Sequence, residues 1–293
     1  NYFNGTFDGD GHTIKLDIDT TQLAVSDQGS GDDNNTLLGH VDLKNGSHVE
    51  ITGSIFNAAS NCTIKNLTTT GSVKLATKAG YSGVVVGSIT NFSNNFGSTN
   101  KSVFENCTNN ADAEVGAIFN VSAIGGIFGN ASGGTVTVTD CTNTGKIVAG
   151  KALTLASGNK TLSQGNSLAG GICSIVSTAA TFTNCTNTGD IVADRATELG
   201  QRSSRAAGIC GQANNKNVTF TNCTNTGNIT SEAQSINAAA GIVGTTSSAL
   251  PMTNCTNSGT VYAKGGHAGA IFGAYSPVGS LPEGASLEGC YQI

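Results

Sequence analysis

The chain predicts an all-β protein, a single-stranded right-handed parallel β-helix, or solenoid, of about eight to nine coils. Three observations predict this fold. A phrase of the form Asn-Cys-Thr-Asn-Thr-Gly recurs along the chain, a second phrase, Gly-Ile-x-Gly, precedes it at a near-constant distance, and the composition is rich in glycine and poor in charge. A short phrase repeated through a chain indicates units that stack on their neighbours to bury a common core.

The cysteine phrase is the most regular feature. It recurs in four close copies and three weaker ones, at residues 140–145, 184–189, 222–227 and 254–259, and around Cys62, Cys107 and Cys290. In the regular copies the isoleucine of Gly-Ile precedes the cysteine by 13 or 14 residues. This spacing predicts that both phrases occupy fixed positions in every coil.

Alternation of apolar residues predicts three short strands in each unit. Val218 and Phe220 are two residues apart and so point to the same side of a strand, whereas Cys223, three residues further on, falls out of this alternation. The change requires a corner near Asn222. Asparagine tolerates the left-handed conformation that such a corner needs. Gly227 is predicted to mark a second corner, and Ile229 resumes the apolar set. Stacked units satisfy their backbone hydrogen bonds in parallel ladders, and coils of this kind are normally right-handed.

Length and charge indicate one elongated domain, 1–293, with N-terminal coils or a cap at 1–52 and regular repeats at 53–293. The net charge is −5, which gives no basic surface for nucleic acid, and no apolar run is long enough for membrane insertion.

The last copy, 289–293, stops in the middle of a coil. An open strand edge there predicts a continuing chain, a cap, or end-to-end association with a neighbour.

Together the two phrases resemble those of GLUG-motif repeat proteins, whose name comes from a Gly-Leu-hydrophobic-Gly phrase. Here that phrase reads Gly-Ile-Phe-Gly at 126–129 and Gly-Ile-Val-Gly at 241–244, and the opening segment 3–14 is also similar to the start of such arrays. The resemblance covers residues 1–293. It implies a bacterial extracellular or cell-surface β-helix that is often adhesin-like.

Such arrays also accompany IgA-specific metallopeptidases, but this chain lacks their His-Glu-x-x-His motif. Its four histidines are scattered, at His12, His40, His48 and His267. The resemblance therefore brings no catalytic residues and no metal ligands, and we predict neither a cofactor nor a metal.

The cysteine column is predicted to be a ladder of small buried side chains rather than a redox or metal site. No Cys-x-x-Cys pair exists, and stacked Cβ atoms that point the same way fit a disulfide poorly. Cys173 and Cys210 form a second column with the same interpretation. The asparagine column of Asn184, Asn222 and Asn254 is interpreted as corner residues that bond neighbouring backbone amides, not as a row of ligands.

The candidate binding residues are the three arginines, Arg195, Arg202 and Arg205, which all lie in one variable segment. The variable loops 150–167 and 194–205 leave the coil at the same corner, so both are expected on one side, where repeat proteins usually bind. Guanidinium groups recognise carboxylates and sulfates with two parallel hydrogen bonds, so an acidic glycan is one interpretation. The pattern favours the other interpretation, a solvated loop whose charges pair locally with Asp194 and Glu198, because exposed ion pairs contribute little.

Other candidates have weaker patterns. Threonine rows at 135/137, 181/183 and 219/221 suggest either ice binding or a solvated face with high β-propensity. The acidic stretch Asp27–Asp33 offers oxygen ligands for calcium, without a recognisable calcium-loop spacing. Many β-helices degrade polysaccharides, yet paired carboxylates at one repeat position, which such chemistry needs, are absent from the sequence.

We therefore predict a secreted or surface-attached, non-catalytic adhesion or display module, whose loops on one side bind a glycan or a host or matrix protein. Two alternatives stay open. One is a polysaccharide-degrading lyase or hydrolase, an analogy at the level of the fold only. The other is a purely structural stalk without a ligand.

Overall fold

The computed structural model describes residues 3–22, 40–42, 48–50, 53–77, 80–90, 100–117, 121–153, 166–194, 203–232, 237–275, 286–288 and 290–292. The predicted calcium stretch Asp27–Asp33, the arginines Arg195 and Arg202, and most of both variable loops lie outside these residues. Within them, every regular element is a strand except one 3₁₀ turn at Thr20–Gln22.

The strands up to the second coil are β1 (Phe3–Asp8), β2 (Thr13–Asp19), β3 (His40–Asp42), β4 (His48–Glu50), β5 (Phe56–Lys65), β6 (Thr68–Thr77), β7 (Gly80–Gly83), β8 (Val86–Ile89), β9 (Lys101–Glu105), β10 (Thr108–Asn109), β11 (Asp112–Ala117) and β12 (Ser122–Gly125). The next two coils contain β13 (Phe128–Ala131), β14 (Thr135–Thr139), β15 (Thr142–Asn143), β16 (Ile147–Ala149), β17 (Ser167–Gly170), β18 (Cys173–Val176), β19 (Ala179–Thr183), β20 (Thr186–Asn187), β21 (Ile191–Ala193) and β22 (Ser204–Ala207).

The remaining strands are β23 (Cys210–Ala213), β24 (Val218–Thr221), β25 (Thr224–Asn225), β26 (Ile229–Ser231), β27 (Asn237–Ala240), β28 (Val243–Thr246), β29 (Pro251–Thr253), β30 (Thr256–Asn257), β31 (Val261–Ala263), β32 (His267–Gly269), β33 (Phe272–Tyr275), β34 (Ser286–Glu288) and β35 (Tyr291–Gln292). A regular coil therefore holds five short strands, such as β18 to β22, rather than the three that alternation predicted.

Strands at equivalent positions stack in parallel from coil to coil. A 14-stranded sheet takes the first two strands of each regular coil, a 13-stranded sheet the third and fourth, and a 6-stranded sheet the fifth. β3 and β4 form a separate antiparallel pair. This arrangement confirms the parallel β-helix that the repeats predicted.

The corner asparagines adopt the left-handed conformation that the parity break predicted. Asn222 has a φ of 53°, and the equivalent residues of the other coils have similar values, at Asn66, Asn106, Asp140, Asn184 and Asn254. Their side chains bond one another rather than backbone amides, which corrects the predicted bonding. Asn222 Nδ2 donates to Asn184 Oδ1 at 3.1 Å, and Asn184 Nδ2 donates to Asp140 Oδ1 at 2.9 Å.

A second asparagine ladder runs through the interior, and it comes from the other asparagine of the cysteine phrase. Asn187 is fully buried. Its Oδ1 accepts a hydrogen bond from Asn143 Nδ2 at 2.7 Å, and its Nδ2 donates to Asn225 Oδ1 at 2.7 Å and to the carbonyl oxygen of Gly189 at 2.8 Å. The same pattern continues to Asn109 and Asn257 at the two ends. Each amide is thus satisfied in a dry core, where an unpaired one would be costly.

The two repeated phrases meet at this ladder. A Cβ on Gly171, the first residue of a Gly-Ile phrase, would lie 2.5 Å from Asn187 Oδ1 and 2.7 Å from its Cγ. Only glycine leaves room for the amide there. The constant spacing between the phrases therefore reflects a direct packing contact within each coil.

The cysteines form the predicted buried ladder beside aromatic core residues, but the predicted copy around Cys62 is wrong. Cys62 lies within strand β5, and Leu67 holds the ladder position there, because Thr68 pairs with Thr108. Eight cysteines are buried, Cys290 is partly exposed, and none forms a disulfide. Cys173 and Cys210 pair in register as a second column. Cys223 Sγ lies 3.7 Å from the carbonyl oxygen of Phe182, whose ring stacks on Phe220 at 4.8 Å. The thiols pack as small apolar groups with weak hydrogen bonds to the backbone.

The buried thiols are expected to be inert in the folded protein. Burial raises the pKa values of Cys141 and Cys173 well above the ordinary range, and the thiolate is the reactive form. We expect native thiols to react with an aromatic disulfide reagent roughly 100-fold more slowly than in denatured protein. All nine cysteines should titrate after denaturation without reductant, and fewer free thiols would contradict the ladder.

Candidate functional site

A groove of about 380 Å³ runs along the outside of the coils where the fifth strand of one coil turns into the first strand of the next. The turn is the Gly-Ile phrase. Gly208 allows close approach of the next coil, and Ile209 points into the core. The outward residues before and after this turn therefore face the same groove. Its lining is Tyr81, Val121, Asn130, Ser132, Asn166, Leu168, Ile175, Ser177, Arg205, Gln212 and Asn214.

Two rows of side chains in register form the groove. The first row is Tyr81, Ala123, Leu168 and Arg205, on strands β7, β12, β17 and β22. The facing row contains Asn130, Ile175 and Gln212, on β13, β18 and β23. Successive coils lie ~4.8 Å apart, so the groove extends over roughly 14 Å from Tyr81 to Arg205.

The floor of the groove is apolar. Leu168 is 1% exposed and Ile175 is 8% exposed, and they pack with Ala123 and the partly buried Val121 in a small hydrophobic cluster. This cluster lies outside the main core. An apolar floor below polar rims is the usual arrangement of a small-molecule site.

The rims carry amides and hydroxyls. On one side, Gln212 Nε2 donates to Asn214 Oδ1 at 2.8 Å. On the other, Ser203 Oγ donates to Asn166 Oδ1 at 2.7 Å. These bonds fix the orientation of both asparagine side chains, because an amide oxygen that accepts leaves its NH₂ group as the outward donor.

Arg205 closes one end of the groove. It lies in strand β22 and is only 8% exposed, and its Nε has no hydrogen-bond partner in the described part of the chain. Burial lowers the pKa of the guanidinium, but arginine titrates so high that the group stays charged at neutral pH. A buried cation without a partner is costly, and such a cost is typical of a functional position.

The sequence placed Arg205 in the exposed loop 194–205, and this placement is wrong, because Arg205 lies in strand β22 and is buried. The ion pairs found among the described residues do not include it. Asn166 and Ser203 are the first described residues after 154–165 and 195–202, and they bond each other where Asn166 lines the groove.

Sequence reasoning missed the other groove residues. Around a Gly-Ile phrase they occupy the third and fifth positions before the glycine and the fourth and sixth after it, as Arg205, Gln212 and Asn214 do around Gly208. In successive coils these positions hold unlike residues, such as Ala123, Leu168 and Arg205, beside an almost constant phrase. This variation at outward-facing positions beside an almost constant turn is the sequence signal that could have identified the groove residues.

A second depression, of about 220 Å³, lies on the N-terminal coils, and its lining holds more carboxylates than lysines. Lys74 Nζ lies 4.0 Å from Asp19 Oδ2, and Asp112 Oδ1 accepts a 2.8 Å hydrogen bond from the backbone N–H of Lys146. Within the described ranges, no three His, Cys, Asp or Glu residues are grouped so that they could hold a metal ion. The described chain also has no helix long and apolar enough to cross a bilayer.

The chemistry of the groove is recognition by side chains. Strands β12, β17 and β22 are each paired on both sides within their sheet, so their backbone groups are already bonded. No carboxyl group is among the described residues that line the groove. The lining thus offers amides, hydroxyls, one aromatic ring and one cation, but no acid–base pair.

The fold and the site together define a class of protein, a parallel β-helix with a groove along one side. No family model matches the chain, and no curated protein does. Among solved structures, the chain is similar to a "putative immunoglobulin A1 protease" from Bacteroides ovatus, with a TM-score of 0.45 and 19% identity. The match covers 98% of this chain and 59% of that one. A likeness this loose carries no information on function.

Proposed function

We propose that the protein is a non-catalytic binding module that holds an oligosaccharide in the groove beside the Gly-Ile turns. The observation that carries this proposal is the pairing of an apolar floor, Leu168 and Ile175, with amide and hydroxyl rims. A sugar ring presents C–H faces and hydroxyl edges, and a site for it needs both kinds of surface. Tyr81, which is 37% exposed, adds an aromatic face at one end.

A peptide is a poorer fit to the same groove. Peptides that bind to sheets usually add a strand to a free edge and gain affinity from backbone hydrogen bonds. The strands along this groove are interior strands of their sheets, apart from β7, which carries Tyr81 and ends the 6-stranded sheet. Over most of the groove a ligand must therefore be recognised by side chains, which favours a molecule that carries its own hydroxyl groups.

The proposal includes the location that the GLUG-like phrases imply, outside a bacterial cell. A module of this kind would contribute adhesion or display. Catalysis by this groove would require a pair of carboxylates. A stalk would require no ligand at all, so binding assays separate the three functions.

A blocking substitution in the groove tests the proposal. Asn130→Trp should fill the groove and weaken binding of any oligosaccharide found on a glycan array by at least about tenfold, measured by calorimetry. Thr137→Trp is the matched control, because both residues are half-buried and outward-facing in the same coil, and only Asn130 lines the groove. The control should bind normally.

Three results would contradict the proposal. Equal binding by both variants would place the ligand elsewhere on the coil. Binding of no oligosaccharide on the array would favour a structural stalk. Cleavage of a bound oligosaccharide during the assay would favour the enzyme alternative.

A further inference from the structure

We infer that the groove selects an acidic ligand, and that Arg205 binds a carboxylate or sulfate group at its closed end. This inference rests on the proposed function, because it names the chemical class of the oligosaccharide for that groove. The sequence offered an acidic glycan only as one interpretation of three arginines in a loop, whereas the structure supplies one buried arginine in a groove.

Arg205 is the only charged residue among the described residues that line the groove. The chain as a whole has a net charge of −5, so the groove differs in sign from the rest of the molecule. A cation at the end of a low-dielectric cleft attracts anions and repels other cations. The groove therefore favours a ligand with a negative group at the position of Arg205.

The guanidinium has an unused donor. Its Nε makes no hydrogen bond in the described structure, although the residue is more than nine-tenths buried. Next to it in the same row, Leu168 and Ala238 offer no acceptor. A rotation of the terminal torsion would present the guanidinium to a bound anion, which matches its planar fork of donors.

The neighbouring amides also present donors. The Oδ1 atom of Asn166 is taken by Ser203, and the Oδ1 atom of Asn214 is taken by Gln212. Both asparagines therefore offer their NH₂ groups to a ligand. Gln212 keeps Oε1 as an acceptor, which suits a hydroxyl beside the anion. Donors on two sides of a cation fit the oxygens of a carboxylate or sulfate better than a neutral sugar edge.

The charge of the ligand can be varied without changing its sugar rings. The probes are an oligogalacturonide, its methyl ester, a sulfated glycosaminoglycan oligosaccharide and a neutral chitooligosaccharide, each titrated calorimetrically at two salt concentrations. We expect the free acid or the sulfated probe to bind at least about tenfold more tightly than the ester and the neutral probe. The preference should shrink at high salt, because screening weakens the attraction.

Arg205→Met tests the residue itself. Methionine keeps an unbranched apolar stem and removes the buried charge, so we expect folding to be preserved or improved, as measured by urea unfolding. The preference for the acidic probe over its ester should be lost, together with its salt dependence. Gln212→Met in the same coil is the matched control, and it should weaken the acid and the ester to a similar extent.

The outcomes separate the inference from the proposed function. Equal affinity for the acid and the ester, unchanged by Arg205→Met, would overturn the acidic preference and leave an oligosaccharide-binding groove. Binding of none of the four probes would count against both. Loss of acid binding in Arg205→Met accompanied by unfolding would be checked with Arg205→Lys, which must restore part of the preference if charge is the cause.

Discussion

Asn187→Asp is expected to destabilise the fold by about 4 kcal/mol or more at neutral pH. The substitution changes one buried NH₂ group into an oxygen. That group donates to Asn225 Oδ1 and to the carbonyl oxygen of Gly189. The introduced oxygen would instead face two acceptors and would bring a negative charge into a fully buried position. Equilibrium unfolding in urea measures the loss directly.

The loss should depend on pH in a defined direction. Burial and the two facing acceptors raise the folded-state pKa of the introduced carboxyl above its unfolded value of about 3.9. A carboxyl with a raised folded pKa favours the folded state when protonated, so the variant loses stability as pH rises above that unfolded value. The difference from the parent protein should therefore be smaller near pH 4 than at pH 7.

The parent protein has its own carboxylate effects, so both proteins must be compared at each pH. A hydrogen bond from Asn66, followed by others from the Asp10 backbone and Lys65, lowers the pKa of Asp8 to about 2. Asp8 thus contributes stability above its unfolded pKa, and this contribution is lost as pH falls towards 2. It is shared by parent and variant and cancels in the difference.

The matched control is Asn222→Asp, at the corner of the next copy of the phrase. Asn222 is exposed and faces the amide of Asn184 rather than a carboxylate, and the equivalent position two coils earlier already holds Asp140. We expect this control to cost less than about 1 kcal/mol, in line with surface substitutions. Equal effects at the two sites would mean that the buried ladder does not stabilise the protein.

This contrast also shows which part of the fold could be predicted from the sequence. The corner at Asn222 was predictable, because a parity break and a residue that tolerates positive φ are both local features. The role of Asn225 was not, because its partners Asn187 and Asn257 lie 38 and 32 residues away in the chain. Nothing in the phrase itself distinguishes a turn amide from one that bonds across coils.

The candidate site, like the fold, was predictable from the sequence only in part. Loop length variation predicted a binding surface on one side of the coil, and most of those loops lie outside the described residues. Arg205 was singled out by its residue type, but its burial depends on Leu168 and Ala238 in the coils before and after it. The amide rims were missed because Asn130 and Gln212 become neighbours of the first row only when the Gly-Ile turn folds the two strands together.

Gly227→Ala is expected to destabilise the protein by about 3–5 kcal/mol, comparable to severe overpacking of a core. The sequence assigned this glycine to a corner, which implies a need for positive φ. The structure gives another reason, since Gly227 is not among the residues with positive φ. A Cβ there would overlap the carbonyl oxygen of Gly189 in the preceding coil and lie 2.7 Å from its carbonyl carbon.

The obstacle is backbone, so it cannot be relieved by a rotamer change. The two coils would have to separate locally, and the buried ladder would be strained with them, because the same Cβ would lie 3.0 Å from Asn187 Nδ2. Gly189 and Gly259 repeat this contact in the neighbouring coils. We therefore expect the same loss for alanine at either of them, measured by urea unfolding.

Gly265→Ala is the control that separates the two explanations for glycine at position 227, which are backbone conformation and close contact between coils. Gly265 has a φ of +67°, and a Cβ there would meet no heavy atom within 4 Å. Only the backbone conformation opposes a side chain at this position, which costs about 1–2 kcal/mol. If Gly227→Ala cost no more than this control, conformation rather than coil contact would explain the glycine column. A clearly larger loss would show that the closest approach of successive coils is what restricts this position to glycine.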